Sequence, residues 1–259
     1  MVVINIVDEN NRLRLRSGTT GSDLCARRWK KGMEGASVYR SDLDPFLAEL
    51  ATAAGAELRT STLVSDVIME RGKVASVKTD LRESHRAKVV IAADGAMSTM
   101  ARKSGMRNRW GAGCTLVPQL DFSCSESKLD DVIGNAEWAW FGPFYGAYQV
   151  NFRDGFHIGA GQWLRKDWDT RPVDMIKRIT EIPAFQAMAR AVEVEPREYQ
   201  VHLLPWMEKP VKSFTDGMML VGDAAGFPCP LEGKGVWHAC TSGKIAAEVA
   251  EYAISEGDT

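Results

Sequence analysis

The stretch G-M-M-L-V-G-D-A-A-G-F-P-C-P-L-E-G-K-G, residues 217–235, decides the fold. Its apolar run Met218 to Val221 predicts a short buried strand that stops at Gly222-Asp223. A loop of small residues and prolines follows, and a helix is predicted from Gly233–Gly235 through Ala247. A carboxylate at a strand end can accept hydrogen bonds from ligand hydroxyls or from the loop's own amides. Ala224, Ala225 and Gly226 carry almost no side chain, so a flat or bulky ligand can reach the main chain. Pro228 and Pro230 keep the loop out of helix until the glycines release it. The free amides and dipole of the helix start then favour negative charge.

The same logic occurs earlier, in V-V-I-A-A-D-G-A-M-S-T-M-A-R at residues 89–102. An apolar strand closes on Asp94-Gly95, and a helix is predicted from Ser98. Two strand-end acids on small-residue turns, each leading into a helix, fit two edges of one ligand cleft.

The 259 residues suffice for one large domain or two smaller ones. A formal net charge of −2, with no basic stripe interleaved with aromatics, argues against a nucleic-acid surface. No window is long and uncharged enough for a membrane span. The start M-V-V-I-N-I-V-D-E lacks a basic flank and reads as a strand. The cysteines (Cys25, Cys114, Cys124, Cys229, Cys240) are odd in number, widely spaced and without C-x-x-C. That pattern points to reduced thiols and a cytoplasmic protein, with no metal site expected.

Along the chain, residues 2–7 and 12–16 alternate as a hairpin about residues 9–11. Residues 17–38 are polar and Gly-rich, with Arg27, Arg28, Lys30 and Lys31 clustered. A helix is predicted with Ser41 or Asp42 as its cap, Phe46, Leu47, Leu50 and Ala54 as its apolar face and Gly55 as its stop. Strands are expected at Glu57–Arg59, Leu63–Glu70, Val74–Thr79 and Ala87–Ala92. From about residue 110 the texture turns antiparallel, with strands at 114–122, 137–141, 147–152 and 156–163 and helices near 126–133 and 172–190. Aromatics gather there: Trp138, Trp140, Phe144, Tyr145 and Tyr148 suit a flat-sided apolar pocket, and equally a sheet core.

G-D-A-A-G-x-x-x-P-x-x-G-x-G at 222–235 resembles the second FAD-binding fingerprint of the glutathione-reductase-type flavoproteins. More narrowly, it is similar to the branch with p-hydroxybenzoate hydroxylase, the geranylgeranyl reductases and the FixC / electron-transfer-flavoprotein:quinone oxidoreductases. A-D-G-x-x-S-x-x-A-R at 93–102 resembles the D-G motif of that branch. R-x-x-x-D-x-x-L-x-x-x-A-x-x-x-G-A from Arg40 resembles the helix whose Arg reaches towards the cofactor; pairing of Arg40 with Asp44 across one turn is the competing reading. Glu198–Pro205 resembles the E-Y-x-A-H-L-x-P strand of FixC-type enzymes, which leaves His202 as either a proton donor near a flavin or a satisfied structural residue. The W-x-W-x-x-P spacing at Trp138, Trp140 and Pro143 departs by one residue from the geranylgeranyl reductase pattern.

The resemblance implies an α/β (α+β) protein: a partial glutathione-reductase-type FAD-binding domain at 1–109 and 206–259, and an antiparallel substrate domain at 110–205. It implies FAD as cofactor, held by Arg40, Asp94, Gly95, Gly222, Asp223, Ala224, Gly226, Pro230, Gly233, Lys234 and Gly235. Trp138, Trp140, Phe144, Tyr145 and His202 are the substrate-side candidates, and no catalytic acid or base is assigned. Enzymes of this fold also carry a βαβ unit with G-x-G-x-x-G, which this sequence does not contain. Against the family pattern the chain lacks roughly the first 80 residues. Two explanations compete, a fragment of a longer protein and a split flavoprotein; the expectation is the split, in which a second polypeptide supplies that unit. Its substrates would be hydrophobic molecules, quinones or an electron-transfer protein, and it would work in the cytoplasm or at a membrane periphery. The rivals are an aromatic monooxygenase using NADPH and oxygen, and a non-catalytic assembly subunit.

Overall fold

A computed structural model describes residues 3–8, 12–16, 39–108, 110, 113–132, 136–141, 147–152, 154–163, 170–206, 211–230 and 233–259. Packing divides the chain into two compact units. The first comprises Met1–Leu58, Leu116–Gln162 and Lys166–His202; the second comprises Arg59–Thr115, Trp163–Arg165 and Leu203–Thr259.

Alternation of apolar and polar residues makes the first unit a sheet with one face on helices. The hairpin forms, β1 (Val3–Asp8) pairing antiparallel with β2 (Arg12–Arg16). The sheet continues through β7 (Cys114–Ser123), β8 (Ala136–Phe141), β9 (Ala147–Asn151), β10 (Gly155–Ala160) and β11 (Gln162–Trp163) in the order β11-β7-β10-β9-β8-β1-β2, and β12 (Glu195–Pro205) pairs β7. In this sheet β1–β2, β7–β10, β9–β10 and β8–β9 pair antiparallel, and β1 pairs β8 in parallel. Phe156, Ile158 and Ala160, at alternate positions of β10, are fully buried. They meet α3 (Glu126–Val132), α4 (Pro172–Thr180) and α5 (Pro183–Val192) through Leu129, Met175, Ile179, Phe185, Met188 and Val192. The Phe122 ring lies 5.1 Å from that of Phe156 and 5.7 Å from that of Phe185.

The expected helix over 172–190 is two helices. Proline at 183 cannot donate into a preceding turn and pushes Ile182 into extended backbone (φ −63°, ψ 125°), so the chain breaks there and restarts. The strand expected over 156–163 likewise breaks at Gly161. The first helix, α1 (Arg40–Ala53), has Tyr39 at its cap position, two or three residues before the expected Ser41 or Asp42, and no side-chain cap. Its apolar face is open, Phe46 being 55% and Leu50 52% exposed.

The second unit is built on two small sheets. β3 (Val64–Glu70), β4 (Lys73–Thr79) and β5 (Ser84–Arg86) form an antiparallel meander around the tight turn at Arg71-Gly72. The strand expected at Glu57–Arg59 is irregular chain. The other sheet is β13 (Phe214–Thr215), β14 (Met218–Leu220) and β6 (Val90–Ala92), in the order β13-β14-β6. Its core joins Val74, Ala92, Met100, Met218, Leu220, Ala224 and Ala225. β6 and β14 are three residues long each, and their buried positions Ala92, Met218 and Leu220 share this core with Met100 and Ala224 from the turns and helices that follow them. α2 (Thr99–Lys103), α6 (Gly222–Ala225) and α7 (Val236–Glu256) complete the unit. Among the described residues no helix is long and apolar enough to cross a membrane, and no cluster of three metal-ligating side chains occurs.

Candidate functional site: two acid turns on adjacent parallel strands

β6 and β14 run parallel and side by side, with Val90 opposite Met218 and Ala92 opposite Leu220. The Val221 N–H donates to the Ala92 carbonyl at 3.0 Å, which carries the pairing past the strand ends. The next residues outward are Asp94-Gly95 on one strand and Gly222-Asp223 on the other. Two motifs 129 positions apart in sequence therefore leave one sheet edge together. The carboxyl ends of neighbouring parallel strands are where open α/β sheets receive ligands.

Each turn is held differently. The Asp94 carboxylate accepts from Ser98 Oγ at 2.6 Å and from the Met100 amide at 3.0 Å, and Ser98 Oγ accepts from the Ala101 amide at 2.9 Å. Asp94 and Ser98 thus cap α2 between them and lock the turn. Replacing Asp94 with alanine is expected to cost about 1–2 kcal/mol of stability through this lost cap, measured as a lower denaturation midpoint. The second turn is a single helical turn where the sequence suggested loop. The Gly226 amide donates to the Asp223 carbonyl at 3.0 Å and the Phe227 amide to the Gly222 carbonyl at 3.2 Å. The Gly222 amide donates to Ser242 Oγ on α7 at 3.0 Å. Ser242 carries no signal in the sequence beyond a polar residue in a helix; only the packing of α6 on α7 shows its part.

Gly233, Lys234 and Gly235 lead into α7. The Cys229 amide donates to the Lys234 carbonyl and the Gly233 amide to the Cys229 carbonyl, both at 2.9 Å, closing the loop on itself. Gly235 occupies the cap position of the 21-residue α7 without a side-chain cap. A Cβ on Gly235 would stand 3.4 Å from Asp223 Oδ1, which places the Asp223 carboxylate at the helix start. Lys234, Gly233 and Pro230 are exposed, whereas Ala224, Ala225 and Gly226 are buried. A Cβ on Gly95 would meet nothing within 4 Å, so the main chain there is open to approach. These features fit the isoalloxazine-to-ribityl part of a flavin: bare backbone, a half-buried acid and an N-terminal helix dipole.

Arg40 lies in the first unit, on α1. Its Nε and Nη2 donate to Asp44 Oδ1 and Oδ2 at 2.7 and 2.8 Å, the intrahelical pair that the sequence offered as the competing reading. Trp138 and Trp140 occupy β8, in register with Gln149 and Ala147 of β9. Phe144 and Tyr145 lie outside the described residues. His202 sits exposed on β12 with Nε2 2.8 Å from Gln200 Oε1.

The first unit carries a second aromatic cluster, of which the sequence singled out Tyr148 alone. Tyr39 stacks on Phe152 (centroids 4.0 Å apart, planes at 21°), and His157 lies 5.2 Å from Phe152 and 5.7 Å from Tyr148. Burial pushes the Tyr148 phenol up to about 12, with Asp121 reinforcing it, and pushes His157 down to about 4 against the attraction of Asp121. His157 is therefore a neutral imidazole at neutral pH. Tyr39 precedes α1, Tyr148 lies on β9 with Phe152 just after it, and His157 lies on β10, so no single local motif joins them.

Residues 20–248 match the family described as FAD dependent oxidoreductase. The chain is 28% identical over 257 residues to digeranylgeranylglycerophospholipid reductase 2 of Methanothermobacter thermautotrophicus, covering 94% of this chain and 63% of that protein. It is 31% identical over 242 residues to digeranylgeranylglycerophospholipid reductase 1 of Methanopyrus kandleri, covering 88% and 60%. The chain thus spans about 60% of the length of these relatives. Among solved structures, a geranylgeranyl bacteriochlorophyll reductase-like protein from Thermoplasma acidophilum superposes with a TM-score of 0.80 at 24% identity, over 99% of this chain and 62% of that one. The flavin-dependent brominase Bmp2 superposes with a TM-score of 0.71 at 20% identity, over 98% and 62%, and like the former it shows the fold. With its two acid turns on one sheet edge and a match over most of its length, this chain belongs to the FAD-dependent oxidoreductase family.

Proposed function

We propose that the chain is one subunit of a split FAD-dependent reductase that passes electrons between the flavin and a hydrophobic substrate of isoprenoid or quinone type. The observation that carries this reading is the parallel pairing of β6 with β14, which sets Asp94-Gly95 beside Gly222-Asp223. The reductases it resembles are named for a geranylgeranylated phospholipid, which favours an isoprenoid chain at a membrane periphery. FAD, when bound, would take up and return the electron pair. The protein's share is orientation. Asp223 would accept hydrogen bonds from the ribityl hydroxyls, and the amides from Gly233 to the start of α7 would face the pyrimidine edge. The dipole of α7 would favour negative charge there. Asp94 would act by holding its turn, since both its oxygens already serve α2.

The split is supported by the open side of β6, which pairs with β14 on one side while no strand pairs its other edge among the described residues. Ile91, midway along β6, is 40% exposed. An open strand edge of this kind accepts another strand. A second polypeptide bearing the βαβ unit would complete both the sheet and the pyrophosphate site.

The test is expression of this chain alone and together with a chain that carries that unit. Alone, it is expected to bind FAD poorly or to precipitate; together, the complex is expected to be yellow. Asp223→Ala in the complex should weaken FAD about ten- to a hundredfold, the worth of a charge-assisted hydrogen bond, ~1.5–3 kcal/mol. Oxidation of the reduced complex by a geranylgeranyl lipid or a quinone, followed in the flavin's visible band, would support the reductase. Soluble yellow monomer from sole expression would remove the split, rapid NADPH consumption would favour a monooxygenase, and a flavin-free complex would leave an assembly role.

A further inference from the structure

Between α2 and β7, the second unit carries two side chains that no motif explains. The Arg107 amide donates to the Ala101 carbonyl at 3.0 Å, tying this segment to the end of α2. Its guanidinium reaches the other turn, Nη2 donating to the Ala224 carbonyl at 2.5 Å. The guanidinium carbon lies 3.5 Å above the Trp110 ring. The indole in turn reaches the first turn, Nε1 donating to the Ala96 carbonyl at 2.5 Å. Its six-membered ring covers Gly226 so closely that a Cβ there would come within 2.7 Å of Cη2.

We propose that Arg107 and Trp110 form a clasp that couples the two acid turns to each other and sets their orientation toward the flavin; this deepens the FAD reading above and rests on it. One planar cation meets a carbonyl of the second turn and a ring that is itself bonded to a carbonyl of the first. Burial pushes the Arg107 pKa down, and the charge of Asp94 pulls against that. Its Nη1 is buried without a protein partner. A half-buried guanidinium with one unmet N–H is a poor source of stability. What it supplies is geometry. Because a trans peptide sets C=O and the following N–H in opposite directions, fixing the Ala96 carbonyl on the clasp turns the Met97 N–H away from it. The two residues touch the turns and are positioning residues.

The variants Arg107→Lys and Trp110→Phe separate this from general packing, because they keep the charge and the ring respectively. Two readouts are taken on the assembled protein: amide hydrogen exchange of residues 93–99 and 221–227 without flavin, and flavin affinity with its visible spectrum. The clasp predicts that either variant speeds exchange in both turns together, and that the double variant adds little to the single ones. It also predicts about tenfold weaker flavin binding and a shifted visible band, with the melting midpoint of the flavin-free protein nearly unchanged. Gly226→Ala, which drives the indole out, should reproduce the faster exchange in both turns, with a lower melting midpoint because alanine is strained at φ +76°. Exchange that changes in one turn only, or in neither, overturns the clasp. If the wild-type assembly takes up no flavin, the cofactor reading fails, and the exchange result still decides whether the clasp couples the turns.

Discussion

Gly217→Ala is expected to unfold the second unit about 10 °C below the wild type, a loss of roughly 3–5 kcal/mol. Gly217 closes the turn between β13 and β14 with φ +77°, and a Cβ there would lie 2.1 Å from the Val74 carbonyl oxygen. That oxygen is main chain and cannot swing aside. The Val74 amide donates to the Asp216 carbonyl at 2.9 Å and the Val90 amide to the Gly217 carbonyl at 2.8 Å, so the turn is joined to β4 and β6 at once. Moving it would disturb both small sheets and the pairing that aligns the acid turns. Gly257→Ala is the control: φ is +71° there, but nothing lies within 4 Å of the added Cβ, so only the backbone penalty of about 1–2 kcal/mol applies. Equal melting points for the two variants would refute the steric argument.

Acid should weaken the first unit well above the pH at which its carboxylates titrate. His157 is held down to about 4 from its ordinary 6.5, chiefly by burial and further by the nearby His202. The unfolded chain therefore takes up a proton below about pH 6.5 that the folded chain refuses until about pH 4. Stability is at its full value above that window and falls as pH drops through it, by roughly 3 kcal/mol in all. Asp44, Glu70 and Asp174 are held low by their arginine partners and lose their contribution only at lower pH. Denaturant unfolding of wild type and His157→Gln at pH 7 and pH 4.5 isolates the effect. The variant should show the smaller drop, and parallel drops would mean that His157 is solvated or charged in the folded state.

The division of labour at the candidate site follows the range of the forces involved. Strand, turn and helix at 217–256 and at 89–103 were legible because a buried strand ending on Gly and Asp, and a helix opening after glycine, are written in adjacent residues. The boundary at Pro183 was not read from the sequence, because the periodicity on either side of it masked the break. Asp94 illustrates the limit: sequence marks the residue, but whether its carboxylate faces a ligand or α2 depends on where Ser98 and Met100 come to lie.

By itself, the sequence determined the family, its cofactor class and the two acid turns, since each rests on short motifs whose chemistry is local. Only the tertiary structure decided that Ala92 pairs with Leu220, that Ser242 holds the Gly222 amide, and that Arg107 and Trp110 join one turn to the other. Those contacts bring together residues up to 128 positions apart, and no residue's neighbours in sequence encode a partner that only packing supplies.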